Sequence, residues 1–134
     1  MQTNEIIQQY YQAFNQRDRQ KILALLSPRI AHDINQGERQ EGVEAFNKFL
    51  DKMDSAYLEH LTDMVIMVDS SGQRAAAEFT VNGTYLKTDE GLPPARGQKY
   101  VIPAGAFFEL DKTSGKITRV STYYNLPQWI EMVK

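Results

Sequence analysis

The chain has 134 residues, of which 42% are hydrophobic and 24% charged, and its formal net charge is -2. This length suits one domain, and the composition excludes an intrinsically disordered chain. Acidic and basic residues are mixed along the sequence, so we expect no nucleic-acid partner. Because cysteine is absent, disulfides, thiol catalysis and thiolate metal sites are excluded.

Three kinds of signal that would point to a membrane, a metal or a cofactor are missing from the sequence. The first residues lack the basic and apolar regions of a secretory signal, and no run of about 18 apolar residues occurs. His32 and His60 do not have a zinc-binding spacing. Neither a phosphate-binding glycine loop nor a nucleophile elbow is found. We therefore expect a cytoplasmic protein with no membrane partner, no metal and no cofactor.

Apolar residues at three- and four-residue spacing predict three helices in the first part of the chain. The first begins near Thr3, the second follows a capping residue at Asp18 and ends at Ser27-Pro28, and the third runs from about Gly42 to Met53. Between the last two, Ile30–Asn35 predicts a short extended stretch and Gln36–Arg39 a turn. The apolar faces are formed by Ile6, Ile7, Tyr10, Tyr11, Phe14, Ile22, Leu23, Leu25, Leu26, Val43, Phe46, Phe49, Leu50 and Met53.

From Tyr57 onward the sequence pattern changes to that of β-strands. Between the second and third strands, Lys87–Gly97 contains two prolines and two glycines and predicts a mobile loop. Leu126-Pro127 begins a short C-terminal helix. The four predicted strands are roughly Tyr57–Val68, Arg74–Leu86, Gln98–Leu110 and Ile117–Tyr124.

Helices first and an antiparallel meander afterwards indicate a single α+β domain over residues 1–134. Strands of this length must curve over the helices to bury both layers, which predicts a concave interior.

Several residues in this framework resemble the ketosteroid isomerase branch of the nuclear transport factor 2-like superfamily, which includes SnoaL-like polyketide cyclases. They are Tyr10 followed by Phe14–Asp18, and Asp33 with Gly42 nine residues later. More narrowly, His32–Gly37, Pro103–Phe108 and Tyr123–Leu126 resemble a bacterial isomerase-related group. The resemblance implies a cone-shaped, mixed and mostly antiparallel sheet wrapped around N-terminal helices, the cystatin-like α+β barrel.

The resemblance also implies catalytic residues. Ketosteroid isomerases use an Asp as base, with a Tyr and a protonated Asp binding the enolate oxygen. Asp33 corresponds to the base, points into the cone and has a raised pKa; the alternative is a structural Asp that accepts backbone amides. Tyr10 corresponds to the hydrogen-bond donor, or is simply core. Gly105 replaces the second acid, and we interpret it as a β-bulge whose amide approaches a ligand.

Alternation along the strands predicts the rest of the site and sends His32 to the face opposite Asp33. Asn35 and Thr122 are expected to orient a ligand, although each is more often structural. An aromatic lining suits a small hydrophobic molecule, although several members fill the core in many proteins. The expected walls are Phe14, Phe46, Phe79, Val81, Phe107, Val120 and Tyr124.

Three functions fit this prediction. The first is cofactor-free proton transfer, an isomerisation, on a small hydrophobic carbonyl compound. The second is a SnoaL-like cyclase or hydrolase that uses the same fold and carboxylate. The third is a non-catalytic small-molecule-binding or dimerisation module, which the glycine at position 105 favours. We expect a homodimer paired through the outer face of the sheet.

Overall fold

The computed structural model describes residues 1–35 and 37–134, so the predicted turn at Gln36–Arg39 begins outside the described residues. The helices are α1 (Thr3–Gln16), α2 (Arg19–Ala24), α3 (Val43–Ala56) and α4 (Leu126–Val133). The strands are β1 (Leu26–Ile34), β2 (Arg39–Glu41), β3 (Tyr57–Val68), β4 (Arg74–Tyr85), β5 (Lys99–Leu110) and β6 (Ile117–Tyr124).

The chain reverses sharply between the first two helices, where Arg17 ends α1 and Asp18 begins α2. Arg17 adopts a left-handed conformation, with φ of 58°, at the end of α1. Asp18 then caps α2, since its carboxylate accepts a hydrogen bond from the Lys21 amide at 3.2 Å. This reversal turns the apolar face of α1 toward the sheet, where Ile7 is fully buried.

The six strands form one sheet in the order β2-β1-β6-β5-β4-β3. All neighbours are antiparallel except β1 and β6, which run parallel. A register shift in β3 at Asp63, whose φ is 56°, bends that strand. The sheet is thus curved, mixed and unclosed, with helices on its concave face, which confirms the predicted α+β fold class.

Three element boundaries differ from the prediction. β1 begins at Leu26, so Ser27-Pro28 lies within a strand rather than at the end of a helix. Pro28 is tolerated because it falls in the irregular stretch between the paired residues Leu26 and Ala31, where its missing N–H removes no ladder bond. α3 continues to Ala56, and the end of the predicted turn forms the short strand β2.

Strand alternation divides the sheet into a buried inner face and an accessible outer face. On β5, Ile102 and Phe108 face inward and are almost fully buried, whereas Val101 and Phe107 face outward and are about half exposed. Within the described part of the chain, no helix is long and apolar enough to cross a membrane.

The segment between β4 and β5 is anchored at both ends. The Tyr85 hydroxyl donates to the Pro93 carbonyl at 2.7 Å and accepts from the Asp89 amide at 2.9 Å. The Gln98 side chain donates to the carbonyls of Pro94 and Val133, both at 2.8 Å, and so joins this segment to α4. The mobility of Lys87–Gly97 stays a prediction.

Candidate functional site

A cavity of about 490 Å³ lies between the concave face of the sheet and the helices α1 and α3. Its walls are mostly aromatic and aliphatic side chains, with a few polar groups. Eight residues named from the sequence line it: Tyr10, Phe14, Asn35, Phe46, Phe79, Val81, Thr122 and Tyr124. Val120, also expected as a wall, is buried in the core.

Asp33 does not face the cavity. On β1 the inner positions are Ile30 and His32, so Asp33 points to the outer face. There its carboxylate accepts hydrogen bonds from Arg39 Nε at 2.8 Å and Arg119 Nε at 3.4 Å. The hydrogen bond from Arg39 is the largest effect that lowers the pKa of Asp33. The predicted inward direction and raised pKa are therefore wrong, and the partners are arginines rather than backbone amides.

Two predicted ligand contacts on β5 also lie on the outer face. Phe107 is 47% exposed and packs edge-on against Tyr123, with ring centroids 5.6 Å apart. Gly105 keeps regular pairing with both neighbouring strands, and a side chain there would point toward the Ala77 carbonyl oxygen. Phe107 is not a cavity wall and Gly105 is not a bulge, because the regular register places odd-numbered residues of this strand outward.

Asn35 joins β1 to β6 as well as lining the cavity. It adopts a left-handed conformation with φ of 44°, which asparagine tolerates. Its backbone amide donates to the Thr122 carbonyl at 2.8 Å, and its side-chain Oδ1 accepts from the backbone amide of Tyr124 at 2.9 Å. Asn35 therefore has the structural role that the sequence analysis allowed for it, because it holds the end of β1 to β6.

Tyr10 lies on α1 with its ring against the sheet. The ring packs edge-on against Tyr11 and Phe108, with centroids 5.0 Å and 5.8 Å away. Burial raises the pKa of Tyr10, so its hydroxyl stays a neutral donor. Tyr10 is therefore both a core residue and a cavity-lining one.

His32 faces the cavity side of β1, contrary to the prediction, and is only 4% exposed. Its ring contacts those of Phe46 and Phe49, with centroid distances of 4.5 Å and 4.6 Å. Burial lowers the pKa of His32 to about 4 and outweighs the nearby charge of Asp33. The imidazole is therefore neutral near pH 7.

Sequence reasoning missed a partly buried carboxyl group, Glu59. It lies on β3 and lines the cavity, and its Oε2 accepts a hydrogen bond of 2.5 Å from the Tyr100 hydroxyl on β5. Burial raises the pKa of Glu59 because it disfavours the charged form, while the bond from Tyr100 opposes that rise. The signal was available, since Glu59 has the same strand parity as the inward residues Tyr57 and Leu61.

A glycine lets these two side chains meet. Gly83 of β4 pairs with Glu59 on one side and Tyr100 on the other, so it lies between them in the sheet. A Cβ atom at Gly83 would lie 2.1 Å from Cζ of Tyr100. The ring of Tyr100 thus crosses β4 through space that a side chain would fill.

A second polar group lies where the cavity meets solvent. The Tyr57 hydroxyl donates to Asp89 Oδ2 at 2.7 Å, and Lys52 Nζ lies 3.1 Å from Asp89 Oδ1. All three residues line the cavity, and the Lys52 side chain is 60% exposed. The ion pair therefore marks the rim. Among residues 1–35 and 37–134, no group of acidic or histidine side chains could hold a metal ion.

A curved, unclosed sheet around helices, with a carboxyl and a phenol on its concave side, defines the class of cone-shaped α+β proteins. The model of the SnoaL-like domain family matches residues 7–120. The chain therefore belongs to the SnoaL-like branch of the nuclear transport factor 2-like superfamily.

Solved structures extend this comparison over the whole chain. A candidate polyketide cyclase of Pseudomonas putida is 54% identical, with a TM-score of 0.97, and the match covers 100% of this chain and 99% of that one. A candidate polyketide cyclase of Xanthomonas campestris is 48% identical, with a TM-score of 0.94 and coverage of 98% and 96%.

A more distant structure shares only the fold. A LEH-like epoxide hydrolase of Mycobacterium tuberculosis is 15% identical, with a TM-score of 0.76, and the match covers 98% of this chain and 84% of that one. No curated protein matches this chain.

Proposed function

We propose that this protein is a cofactor-free acid–base enzyme that closes a ring in a small hydrophobic carbonyl compound, with Glu59 as the base. One observation carries the proposal: a partly buried carboxyl group, hydrogen-bonded to Tyr100, lines a mostly apolar cavity. The polyketide cyclase description of two close structural relatives supports the reaction class.

The surroundings of Glu59 suit proton transfer. A general base works best when its pKa lies near the working pH, and burial moves the pKa of Glu59 upward from the ordinary carboxyl value. The Tyr100 hydroxyl stabilises the carboxylate, which keeps the charged form accessible. Perturbed carboxyl groups of this kind are concentrated at active sites.

The proposed reaction balances without an added reagent. The Glu59 carboxylate removes a proton from the carbon beside one carbonyl of the substrate, and the electron pair of that C–H bond forms an enolate. The enolate carbon attacks a second carbonyl of the same molecule, so one C–C bond forms and a C=O bond becomes an alkoxide. The alkoxide then takes the proton back from Glu59.

The walls of the cavity indicate the substrate. Phe14, Phe46 and Phe79 present flat apolar surfaces, which favour an uncharged, flat molecule. The isomerisation considered from the sequence begins with the same proton transfer as ring closure. Asp33 cannot be the base for either reaction, because its side chain lies on the outer face of the sheet and not in the cavity. We therefore transfer the role of base from Asp33 to Glu59.

Deuterium exchange into a simple ketone tests the proton-transfer step. β-Tetralone, incubated with the protein in deuterated buffer, is followed by NMR at the carbon between ring and carbonyl. We expect the wild type to accelerate exchange and Glu59→Gln to lose about a hundredfold or more of that acceleration. Asp33→Asn is the matched carboxyl-to-amide control, and its exchange rate stays near that of the wild type.

Two results would contradict this proposal. If the wild type binds β-tetralone but does not accelerate exchange, the protein is a binding module rather than an enzyme. If Glu59→Gln exchanges as fast as the wild type while Asp33→Asn does not, Asp33 is the base after all.

The outer face of the sheet supports a further proposal, that the partner of this chain is a second copy. Strands β3 and β5, which flank β4, present apolar side chains there that are about half exposed, and such a patch is uncommon on a monomer. They include Val65, Met67, Val101 and Phe107. An isologous dimer would cover the same patch on both copies.

A further inference from the structure

His32 is a buried polar side chain to which the proposed reaction assigns no role. It is 4% exposed, and its Nδ1 atom is buried without a hydrogen-bond partner among the described residues. Buried polar groups in proteins nearly always have a partner, so this one calls for an explanation. The side chain also lines the cavity, and its second ring nitrogen, Nε2, is not among the buried atoms without a partner, so Nε2 is the atom that a ligand can reach.

We infer that His32 binds an oxygen acceptor, such as a carbonyl, of an uncharged aromatic ligand that lies against Phe46 and Phe49. The inference rests on the proposed function only in taking the cavity as the ligand site. It does not require Glu59 to act as a base.

The position of the ring proton follows from the burial of Nδ1. A neutral imidazole carries its hydrogen on one nitrogen and accepts at the other. A buried N–H without an acceptor is rarer in proteins than an acceptor without a donor, so the hydrogen belongs on Nε2. The ring edge that lines the cavity therefore presents a donor, which selects an acceptor on the ligand.

The surroundings of His32 keep the ring neutral and fix its direction. Phe46 and Phe49 hold it from two sides, in tilted and edge-on contacts. Asp33 lies next to it in the chain, but its carboxylate is bound by Arg39 and Arg119 on the outer face. A neutral donor beside two aromatic rings favours a neutral, flat ligand over a carboxylate or a phosphate.

The sheet order gives the ligand a second requirement. His32 lies on β1 and Glu59 on β3, and three strands, β6, β5 and β4, separate them in the sheet. Helix α3 packs against both β1 and β3, so the two polar groups lie on opposite walls of one cavity. A ligand that contacts both carries an oxygen acceptor at the His32 end of an apolar body and, at the Glu59 end, an acidic C–H group or a hydrogen-bond donor. This is the substrate class we assign.

A pair of probes with nearly the same shape tests the role of His32. β-Acetylnaphthalene carries a carbonyl, and β-isopropenylnaphthalene replaces its oxygen with a CH₂ group. Affinities are measured by calorimetry for the wild type, His32→Phe and the control His60→Phe, since His60 lies exposed on β3. We expect the wild type and His60→Phe to bind the ketone about five- to tenfold more tightly than the alkene.

His32→Phe should lose that preference and keep the affinity for the alkene, because phenylalanine fits the same aromatic contacts. Nitrogen NMR of the wild type with labelled histidine avoids any dependence on a folded variant. The ketone should shift the resonances of His32 but not those of His60, and the alkene should shift neither. The inference would be overturned if His32→Phe kept the preference of the wild type for the ketone. It would also be overturned if the His32 resonances did not shift, or if neither probe bound.

The two proposals fail separately. Glu59→Gln should keep the ketone preference while it loses deuterium exchange. A His32-dependent preference without exchange leaves this inference standing and removes the enzyme. If exchange depends on Glu59 but His32→Phe still prefers the ketone, the enzyme proposal stands and the inference about His32 fails.

Discussion

The ring of Tyr100 occupies the space that a side chain at Gly83 would need. A Cβ atom there would lie 2.1 Å to 2.4 Å from the outer atoms of the ring. Gly83→Ala should therefore push Tyr100 aside, break its bond to Glu59 and destabilise the fold by about 1–3 kcal/mol. Urea unfolding of Gly83→Ala, Tyr100→Ala and the double variant forms a double-mutant cycle. Strictly additive losses would show that the two residues do not share this space.

The pH dependence of exchange should report the bond between Glu59 and Tyr100. Exchange requires the ionised carboxylate, so the rate falls as the pH falls through the pKa of Glu59. Tyr100→Phe removes the hydrogen bond that lowers this pKa, so the falling limb should move to higher pH. Rate profiles of the two proteins measure the shift. A limb that stays in place or moves to lower pH would exclude Glu59 as the titrating base.

Removing the charge of Glu59 should stabilise the protein at neutral pH. Its pKa is raised on folding, so the folded state binds this proton more tightly than the unfolded state. The resulting destabilisation is present at neutral pH and disappears as the pH falls below the ordinary carboxyl value. Glu59→Gln should therefore melt higher than the wild type at pH 7 and lose this advantage near pH 4. The carboxyl pKa of Asp33 is lowered on folding, so Asp33→Asn should melt lower than the wild type at pH 7.

His32 should contribute to destabilisation by acid. Its pKa falls from 6.5 to about 4 on folding, so its contribution is complete above pH 6.5 and is lost as the pH falls toward 4. The full loss is on the order of 3 kcal/mol. His32→Phe should lack this part of the pH dependence, measured by urea unfolding at pH 7.5 and pH 4.5. Parallel losses in both proteins would mean that His32 does not titrate between these values.

The outer face should hold two copies together. Phe107→Lys places a charge among the exposed apolar side chains of this face and should shift a dimer toward monomer, as measured by analytical ultracentrifugation. Met132→Lys is the control, because Met132 is 39% exposed on α4, away from the patch. A wild type that is monomeric at all concentrations would contradict the proposal.

Local periodicity was enough to predict most of the fold. The change of pattern at Tyr57 placed β3 at its observed bounds, Tyr57–Val68, and the same rule placed β6. The start of β1 was missed because Pro28 normally ends a helix or a strand. Here Pro28 lies between the points where β1 pairs with β6, Leu26 and Ala31, and the local sequence does not show where that pairing is interrupted.

The site was less predictable, for two physical reasons. A spacing shared with a family suggested Asp33, although alternation with Ile30 places His32 inward instead. Glu59 was readable from its own strand, but its partner was not. The meeting of Glu59 and Tyr100 depends on the registers of two strand pairs that share Gly83, and local sequence does not specify such registers.

The parallel pairing of β1 with β6 has a consequence for how the chain folds. The β1 strand connects to the rest of the sheet through β6, and all of β2, α3, β3, β4 and β5 lie between these two strands in sequence. Such distant contacts form late and slowly, because a long loop must close before they are made. We therefore expect the wall that carries His32 to join the wall that carries Glu59 late in folding. A ligand that contacts both walls would then recognise only the fully assembled chain.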